Sequence, residues 1–293
     1  MCRVFGAVAS DPISVRYELV DAANPMIRLS ENHDSGWGIA AYRDIGQAAP
    51  LTERFAVAAH SDNRFDAATE MRGRIFNAHV RRATLGGLSP QNTHPFEFGP
   101  YTFAHNGTIL DYRSMLRPGM GSPQGETDSE CFFLRLMHEF DPSDPVRSMR
   151  GVIAAIIAGH TFSGLNFVFS DGNKLYAYRL GIFDLFWATR PGVALVASEE
   201  LTGETWHCAQ QDVLLTLDPE QPEDVHAERL LGDMMLGAAR IEKLEPDASM
   251  RGSERGAWAA EHAERVGSMN GRATTPVGVA ALRRAPLGET VSA

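Results

Sequence analysis

Short apolar stretches with strand character recur through residues 1–218 and alternate with stretches of helical character. Many strands with helices before and between them fit two packed sheets that are flanked by helices. The pattern alone does not separate this arrangement from other α/β sandwiches. The predicted strands are Val4–Ala9, Gly36–Ala41, Phe55–Ala59, Arg74–Val80, Tyr101–Ala104, a hairpin over Asn166–Arg179 that turns at Asp171–Asn173, Leu185–Ala188, Val193–Ala197 and Val213–Leu217.

Two helices are predicted between the strands. Thr127 or Asp128 is placed to cap a helix that continues through Cys131–Phe140, with Glu130 near the capping-box position. The apolar run Val152–Ala158 predicts the core of a helix that begins near Pro145. At seven residues this run is far too short to span a bilayer.

Composition narrows the class of protein. Of the 293 residues, 44% are hydrophobic and 22% are charged, as in ordinary globular proteins. The net charge of −10 argues against nucleic-acid binding, which needs a basic surface. Three cysteines without paired spacing give no disulfide framework and no zinc motif. Since no signal peptide is evident at the start either, we expect a cytoplasmic protein with no membrane contact.

Composition changes after Asp218. We therefore predict a main domain over residues 2–218 and a C-terminal extension over 219–293. Within the extension, Val225–Leu244 has apolar residues at helical spacing, which predicts a helix packed on the main domain. A second, weaker helical stretch lies at Ala257–Val266. From Gly271 the composition is typical of disorder.

The second residue of the chain is a cysteine. Removal of Met1 would leave Cys2 with a thiol and a free α-amino group a few bonds apart. An α-amino group titrates near pH 8, so it can act as the base that takes the thiol proton. One residue would then supply both nucleophile and base. Taken alone, a Met-Cys start fits an ordinary small buried residue equally well.

Several later segments give Cys2 a context. They are residues 32–42, 75–84, 92–98, 101–109 and 125–130, with the sequences NHDSGWGIAAY, IFNAHVRRAT, NTHPFEF, YTFAHNGTI and GETDSE. Their order behind Met-Cys-Arg resembles the glutaminase domain of class II glutamine amidotransferases, which are N-terminal-nucleophile hydrolases. The chain is most similar to small stand-alone members, such as YafJ-like proteins and the γ-glutamyl hydrolase of ergothioneine synthesis. The resemblance extends to about Asp218 through residues 166–178 and 196–206.

This resemblance implies an α+β fold, namely the four-layer α/β/β/α sandwich, here with a helical C-terminal extension. It also implies hydrolysis of a γ-glutamyl amide, either glutamine or a larger amide or peptide. Such a reaction needs a nucleophile, which is Cys2, and donors for the oxyanion. Asn106 and Gly107 match the family's Asn-Gly pair, which supplies a side-chain amide and a backbone N–H. The alternative for this pair is a plain turn with positive φ.

The α-carboxylate of a glutamyl substrate calls for an arginine, and Arg81 and Arg82 compete. Alternate residues of a strand share a face, which puts Arg81 with Asn77 and His79 and puts Arg82 with Ala78 and Val80 on the other face. The family pattern His-x-Arg-x-x-Thr also falls on His79, Arg81 and Thr84. We assign Arg81 to the carboxylate, and Thr84 to the same binding site. Arg82 is expected to be solvated or to support the site from behind.

The α-ammonium group calls for a carboxylate, and Asp128 matches the aspartate of the family's Glu-Thr-Asp motif. Asp128 is alternatively a helix cap, and the two roles are compatible. A metal cluster of the site's histidines is disfavoured, since the resembling family is metal-independent, so no cofactor is expected. His94 is expected to shape the pocket wall, and Trp37 and Gly38 to form a loop beside the site. Cys131, on the predicted helix, and Cys208, in a predicted loop, are expected to be inert.

Full amidotransferases carry a second domain that consumes the ammonia, and the 75 residues after Asp218 are too few for one. The protein is therefore expected to hydrolyse its substrate outright or to pass ammonia to a separate subunit; a separate peptidase subunit is another possible partner. A catalytically silent interaction module is disfavoured because all the motif residues are present. The sequence leaves open the leaving amine, the partner and the oligomeric state.

Overall fold

Two antiparallel sheets form the centre of the molecule in the computed structural model, which describes residues 2–244. The seven-stranded sheet has the order β12-β10-β11-β1-β4-β2-β3, and the six-stranded sheet has the order β14-β13-β9-β8-β6-β5. Strands β7 and β15 form a small parallel pair. The strands are β1 (Arg3–Ile13), β2 (Gly36–Tyr42), β3 (Leu51–Phe55), β4 (Gly73–Arg81), β5 (Phe96–Phe98), β6 (Tyr101–Asn106), β7 (Thr161–Phe162), β8 (Asn166–Ser170), β9 (Leu175–Arg179), β10 (Phe186–Arg190), β11 (Val193–Ala197), β12 (His207–Cys208), β13 (Val213–Leu217), β14 (His226–Arg229) and β15 (Arg240–Ile241).

Helices cover the outer faces of the sheets. The two long ones, α3 and α4, begin at or next to residues whose side chains cap them, Thr127 and Asp144. The α-helices are α1 (Met26–Leu29), α2 (Asn63–Thr69), α3 (Asp128–Glu139), α4 (Pro145–Gly159) and α5 (Asp233–Gly237). A π-helix covers Tyr17–Asp21, and short 3₁₀ helices cover Ala59–Ser61, Pro90–Asn92 and Tyr112–Met115.

The alternation of side chains along the strands builds three apolar layers. In β1, Val4 and Val8 pack between the two sheets, whereas Phe5 faces the helices that cover the seven-stranded sheet. The outer face of the six-stranded sheet packs on α3 and α4 through residues such as Phe132 and Ile153. This layering confirms the predicted four-layer α/β/β/α sandwich.

The strand predicted over Phe55–Ala59 is wrong. The strand lies earlier, at Leu51–Phe55, and pairs with β2 at the edge of the seven-stranded sheet. Its middle residues are polar and partly exposed, because an edge strand needs only backbone pairing on one side. The apolar run after Phe55 instead leads into a 3₁₀ helix.

The continuous helix predicted over Val225–Leu244 is also wrong. Its first residues form β14, which pairs with β13, so Val213–Leu217 is not the last strand. Only the short α5 is helical, and it lies between Gly232 and β15. Leu230 is nevertheless buried in the core beneath α4, so this segment does pack on the main domain. The predicted helix at Ala257–Val266 and the disorder from Gly271 fall outside the described residues.

Within residues 2–244, no helix combines the length and the apolar character needed to cross a membrane.

The spacing of the two sheets depends on a glycine in β1. A Cβ atom at Gly6 would lie 2.7 Å from Leu175 and 3.0 Å from Val168 on the opposite sheet. We predict that Gly6→Ala lowers the free energy of unfolding by about 1–3 kcal/mol, the usual cost of overpacking. Denaturant unfolding measures this loss. The matched control is Gly151→Ala in α4, where an added methyl has no neighbour within 4 Å and should be neutral or stabilising. Equal effects of the two substitutions would contradict the prediction.

Candidate active site

The start of β1 and the end of β4 meet because the two strands are antiparallel neighbours, with Arg3 opposite Val80. This pairing brings Cys2, just before β1, against Arg82, just after β4. The backbone N–H of Arg82 donates to Cys2 Sγ at 3.4 Å, and the thiol lies 3.5 Å from the Arg82 carbonyl oxygen. Cys2 is partly exposed. The thiol is therefore held against the Arg82 backbone in a residue that keeps part of its surface exposed.

Arg81 is buried, with 2% of its surface exposed. Its guanidinium donates to the carbonyls of Leu85, Gly86 and Gly87 at 2.8, 3.3 and 2.9 Å, and these fix its plane. Burial lowers the pKa of Arg81, while the negative charges of Cys2 and Asp128 act in the opposite direction. The cation thus lies within electrostatic reach of the thiol and of the Asp128 carboxylate.

The predicted division of strand faces in β4 is confirmed by its neighbours. Asn77 points into the space between the sheets and donates to the Val168 carbonyl of β8 at 3.1 Å. Ala78 and Val80 lie in the core on the helix side. Of the two positions expected for Arg82, the solvated one is wrong, since only 6% of its surface is exposed, while a supporting position behind the site stays a prediction. Arg82 lies beyond the end of the strand, where the alternation no longer dictates exposure.

Asn106 ends β6 in the other sheet and is 1% exposed. Its Oδ1 atom is buried and has no hydrogen-bond partner within residues 2–244. The following Gly107 lacks the positive φ that a tight Asn-Gly turn would require, so that expectation is wrong. Glycine is needed for another reason, because a Cβ atom there would overlap the carbonyl oxygen of Gly164. The backbone after Asn106 is thus packed directly against a neighbouring chain segment.

Asp128 is the first residue of α3 and is 3% exposed. The cap is Thr127, whose hydroxyl accepts from Glu130 N at 3.2 Å. The Asp128 carboxylate instead accepts from the backbone N–H of Ile109 at 2.8 Å. It therefore ties the start of α3 to the segment that follows Asn106.

Thr84 connects the two halves of the site. Its hydroxyl lies 3.1 Å from that of Thr108, two residues after Asn106. Through this contact and the Ile109–Asp128 bond, the structure joins the chain after β4, the chain after β6 and the start of α3. The predicted residues Cys2, Arg81, Thr84, Asn106, Gly107 and Asp128 therefore lie on segments that contact one another.

His94 lies further inside the molecule. Its ring is 4.1 Å from that of His79 and 4.5 Å from that of Phe96, measured between centroids. Burial lowers the pKa of both His79 and His94 well below the usual range. Contact of His94 with substrate stays a prediction. Within residues 2–244 no group of three or more histidine, cysteine or acidic side chains is placed to hold a metal ion.

Two other histidines near the site are kept neutral. His105 contacts the Ser129 hydroxyl at 2.9 Å and the Gly164 carbonyl at 3.1 Å, and burial lowers its pKa to about 4. His33 contacts the Leu29 carbonyl, and burial together with the charge of Arg3 lowers its pKa to about 3. Both rings are therefore uncharged at neutral pH.

Trp37 and Gly38 do not form the expected loop. Both lie within β2, and the Trp37 ring is fully buried in the core on the helix side.

Cys131 is buried in α3, and burial raises the pKa of its thiol to about 12. Cys208 lies in the short strand β12 and not in a loop, and it is exposed.

A cleft beside Asn106 was not predicted from the sequence. Its volume is about 490 Å³, and Arg3, Asn106, Phe183, Asp184, Glu199 and Glu200 are among its lining residues. The only sequence signal was the segment 196–206, which belonged to the family resemblance without an assigned role.

The buried histidines predict acid lability. An unfolded histidine binds a proton near pH 6.5, whereas buried His33 does so only near pH 3, so stability falls as pH drops below about 6.5. His33→Gln should make the slope of unfolding free energy between pH 5 and 6 shallower by about 1.4 kcal/mol per pH unit. Denaturant unfolding at several pH values measures this slope. The control is His226→Gln, a side chain 67% exposed, which should keep the wild-type slope. A wild-type slope in His33→Gln would refute the assignment.

Comparison with known proteins identifies the family that the chain is similar to. Residues 1–191 match the family model of class-II glutamine amidotransferases. An uncharacterized protein of Methanocaldococcus jannaschii is 32% identical over 186 residues, which cover 61% of this chain and 51% of that protein. YafJ of Escherichia coli, a candidate glutamine amidotransferase, is 28% identical over 227 residues, or 69% of this chain and 82% of YafJ. The chain thus spans about half the length of the archaeal relative.

Solved structures show the same fold. A class-II glutamine aminotransferase domain protein from Silicibacter pomeroyi aligns with a TM-score of 0.57 at 21% identity, covering 79% of this chain and 100% of its own. The glutamine phosphoribosylpyrophosphate amidotransferase of B. subtilis aligns with a TM-score of 0.61 at 16% identity, covering 79% of this chain and 50% of its own. With a family model that matches residues 1–191, this chain belongs to the class II glutamine amidotransferase family, whose fold is that of the N-terminal-nucleophile hydrolases.

Proposed function

We propose that the protein hydrolyses γ-glutamyl amides through a thioester on Cys2, once Met1 has been removed. The observation that carries the proposal is the position of the Cys2 thiol, 3.4 Å from the Arg82 backbone and within electrostatic reach of Arg81. Family membership supports glutamine-directed chemistry. The thioester intermediate and the range of amide substrates are proposals that family membership alone does not give.

The glutamyl end of the substrate meets two opposite charges. Arg81 would bind the α-carboxylate, because a planar guanidinium matches a carboxylate with two parallel hydrogen bonds. Its plane is already fixed by the carbonyls of residues 85–87, which reduces the entropy lost on binding. Asp128 would bind the α-ammonium group. Burial strengthens both contacts, since less water competes for the charges.

The reaction has two steps. The Cys2 α-amino group takes the thiol proton, and the sulfur attacks the γ-carbonyl carbon. The Asn106 side-chain amide and the Gly107 N–H stabilise the oxyanion. The C–N bond then breaks, the departing amine takes the proton back from the α-ammonium, and a glutamyl thioester remains. Water attacks this thioester, releasing glutamate and restoring the Cys2 thiol, so no oxidant or reductant is consumed.

Cys2 should be the only catalytic thiol. Cys2→Ala is expected to abolish glutamate release from glutamine and from γ-glutamyl amides because the attacking sulfur is lost, while the protein stays folded without the contact of Sγ with the Arg82 backbone. A glutamine-like electrophile should label the N-terminal residue, and intact mass should show the loss of Met1. Cys208→Ser is the matched control, because Cys208 is an exposed thiol that the electrophile would label nonspecifically. Wild-type hydrolysis by Cys2→Ala, or full activity with Met1 retained, would disprove the mechanism.

Asn106 and Asp128 should affect different kinetic constants. Asn106→Ala should lower kcat by roughly 10²–10³ with a smaller change in KM, because an oxyanion donor acts mainly in the transition state. Asp128→Asn should chiefly raise KM, because it removes the charge that binds the substrate ammonium, while its remaining side-chain oxygen can still accept from Ile109. Steady-state kinetics with glutamine test both. The assignment fails if both variants change the same constant.

A further inference from the structure

The cleft beside Asn106 is lined by other residues than those that would grip the glutamyl end. Asn106 is among its lining residues, whereas Arg81 and Asp128 are not. A substrate whose carbonyl lies at Cys2 and Asn106, with its amino-acid end at Arg81 and Asp128, has only its amide nitrogen left to place. The group on that nitrogen therefore points toward the cleft.

The cleft is larger than ammonia requires. A water-sized molecule takes up about 30 Å³ in the liquid, whereas the cleft offers about 490 Å³, within the range of sites for small organic ligands. Its lining includes the apolar side chains Ile182, Phe183 and Phe186. These dimensions and this lining suit an organic amine with an apolar body.

The walls of the cleft are tied to the catalytic strands. Arg3, directly after Cys2, forms an ion pair with Glu199 and donates to the Cys2 carbonyl at 3.1 Å. Ser198 accepts from the backbone N–H of Val4 at 3.0 Å. Asn24 donates to the Glu200 carbonyl at 2.9 Å. The cleft is therefore preorganised next to the nucleophile.

The charge of the cleft is negative. Glu199 is neutralised by Arg3, and Asp184 forms an ion pair with Arg179. For the Glu200 side chain, no basic group within residues 2–244 lies at ion-pair distance. Buried Asn106 adds a side-chain oxygen that has no hydrogen-bond partner among the described residues and is a further acceptor. An arriving positive charge would thus be favoured over a negative one.

We infer that this cleft binds the leaving group of the substrate, and that the leaving group is an organic amine carrying a second, positive charge. The inference rests on the proposed function and narrows its substrate class from any γ-glutamyl amide to γ-glutamyl amides of cationic amines. Ammonia leaving from glutamine would use the same nucleophile but none of the cleft.

Three synthetic substrates that share a five-carbon spacer test the charge preference. They are the mono-γ-glutamyl amides of 1,5-diaminopentane, pentylamine and 6-aminohexanoate, whose far ends are cationic, neutral and anionic. The expected order of kcat/KM is cationic, then neutral, then anionic, with glutamine below the cationic amide. The ratio between cationic and neutral amides should be about two- to fivefold, the range of a solvent-accessible ion pair.

Two variants test the role of the cleft independently of the catalytic reaction. Glu200→Gln should remove most of the preference for the cationic amide and leave glutamine hydrolysis unchanged. The matched control is Glu97→Gln, because Glu97 is an exposed residue of β5 outside the cleft lining. Ile182→Trp should narrow the cleft, lowering kcat/KM for all three amides relative to glutamine.

The outcomes distinguish the two proposals. A flat or inverted order, with Cys2-dependent hydrolysis of glutamine intact, overturns the leaving-group assignment alone. A cationic preference that survives Glu200→Gln also overturns it, since the charge would then lie elsewhere. Failure of every γ-glutamyl substrate, glutamine included, overturns the proposed function and the assignment with it.

Discussion

The antiparallel pairing of β1 with β4 is the constraint on which the site depends. With Arg3 opposite Val80, the beginning of the first strand must lie beside the end of the fourth, and this places Cys2 against Arg82 and near Arg81. A shift of one residue would turn every side chain of β1 to the opposite face. Residues 4–9 of β1 are buried on both faces, against the other sheet and against helices, so a shifted register would have to repack two apolar layers.

The second sheet contributes through the segment that follows β6, one of its inner strands, and α3 contributes Asp128. β6 delivers Asn106, and two contacts then tie the following residues down, from Thr108 to Thr84 and from Ile109 to Asp128. Gly107 packs so closely against the backbone of Gly164 that a side chain at position 107 would not fit. The proposed role of Asn106 and Gly107 as oxyanion donors requires fixed geometry, so for that role these tethers matter more than the type of turn.

Sequence patterns predicted the features that repeat along a helix or strand. They failed at positions whose structure depends on one particular contact. The alternation in β4 correctly separated Asn77 from Ala78, because strand faces follow a period of two. It could not place Arg82, which lies past the strand and is buried by its surroundings. The helical spacing over Val225–Leu244 was overridden by pairing of His226–Arg229 with β13. The cleft was missed because its walls come from segments distant in sequence.

The charges of the site divide between a buried and an open region. Arg81 and Asp128 are almost fully buried, so in their proposed role they would discriminate strongly for a group that carries both charges of an amino acid. Glu200 is exposed, and a charge there selects only weakly. An enzyme built this way would be strict for the glutamyl half of its substrate and tolerant of the amine. This difference follows from the different burial of the charges. The tolerant side of the site is the side that would hold the leaving amine.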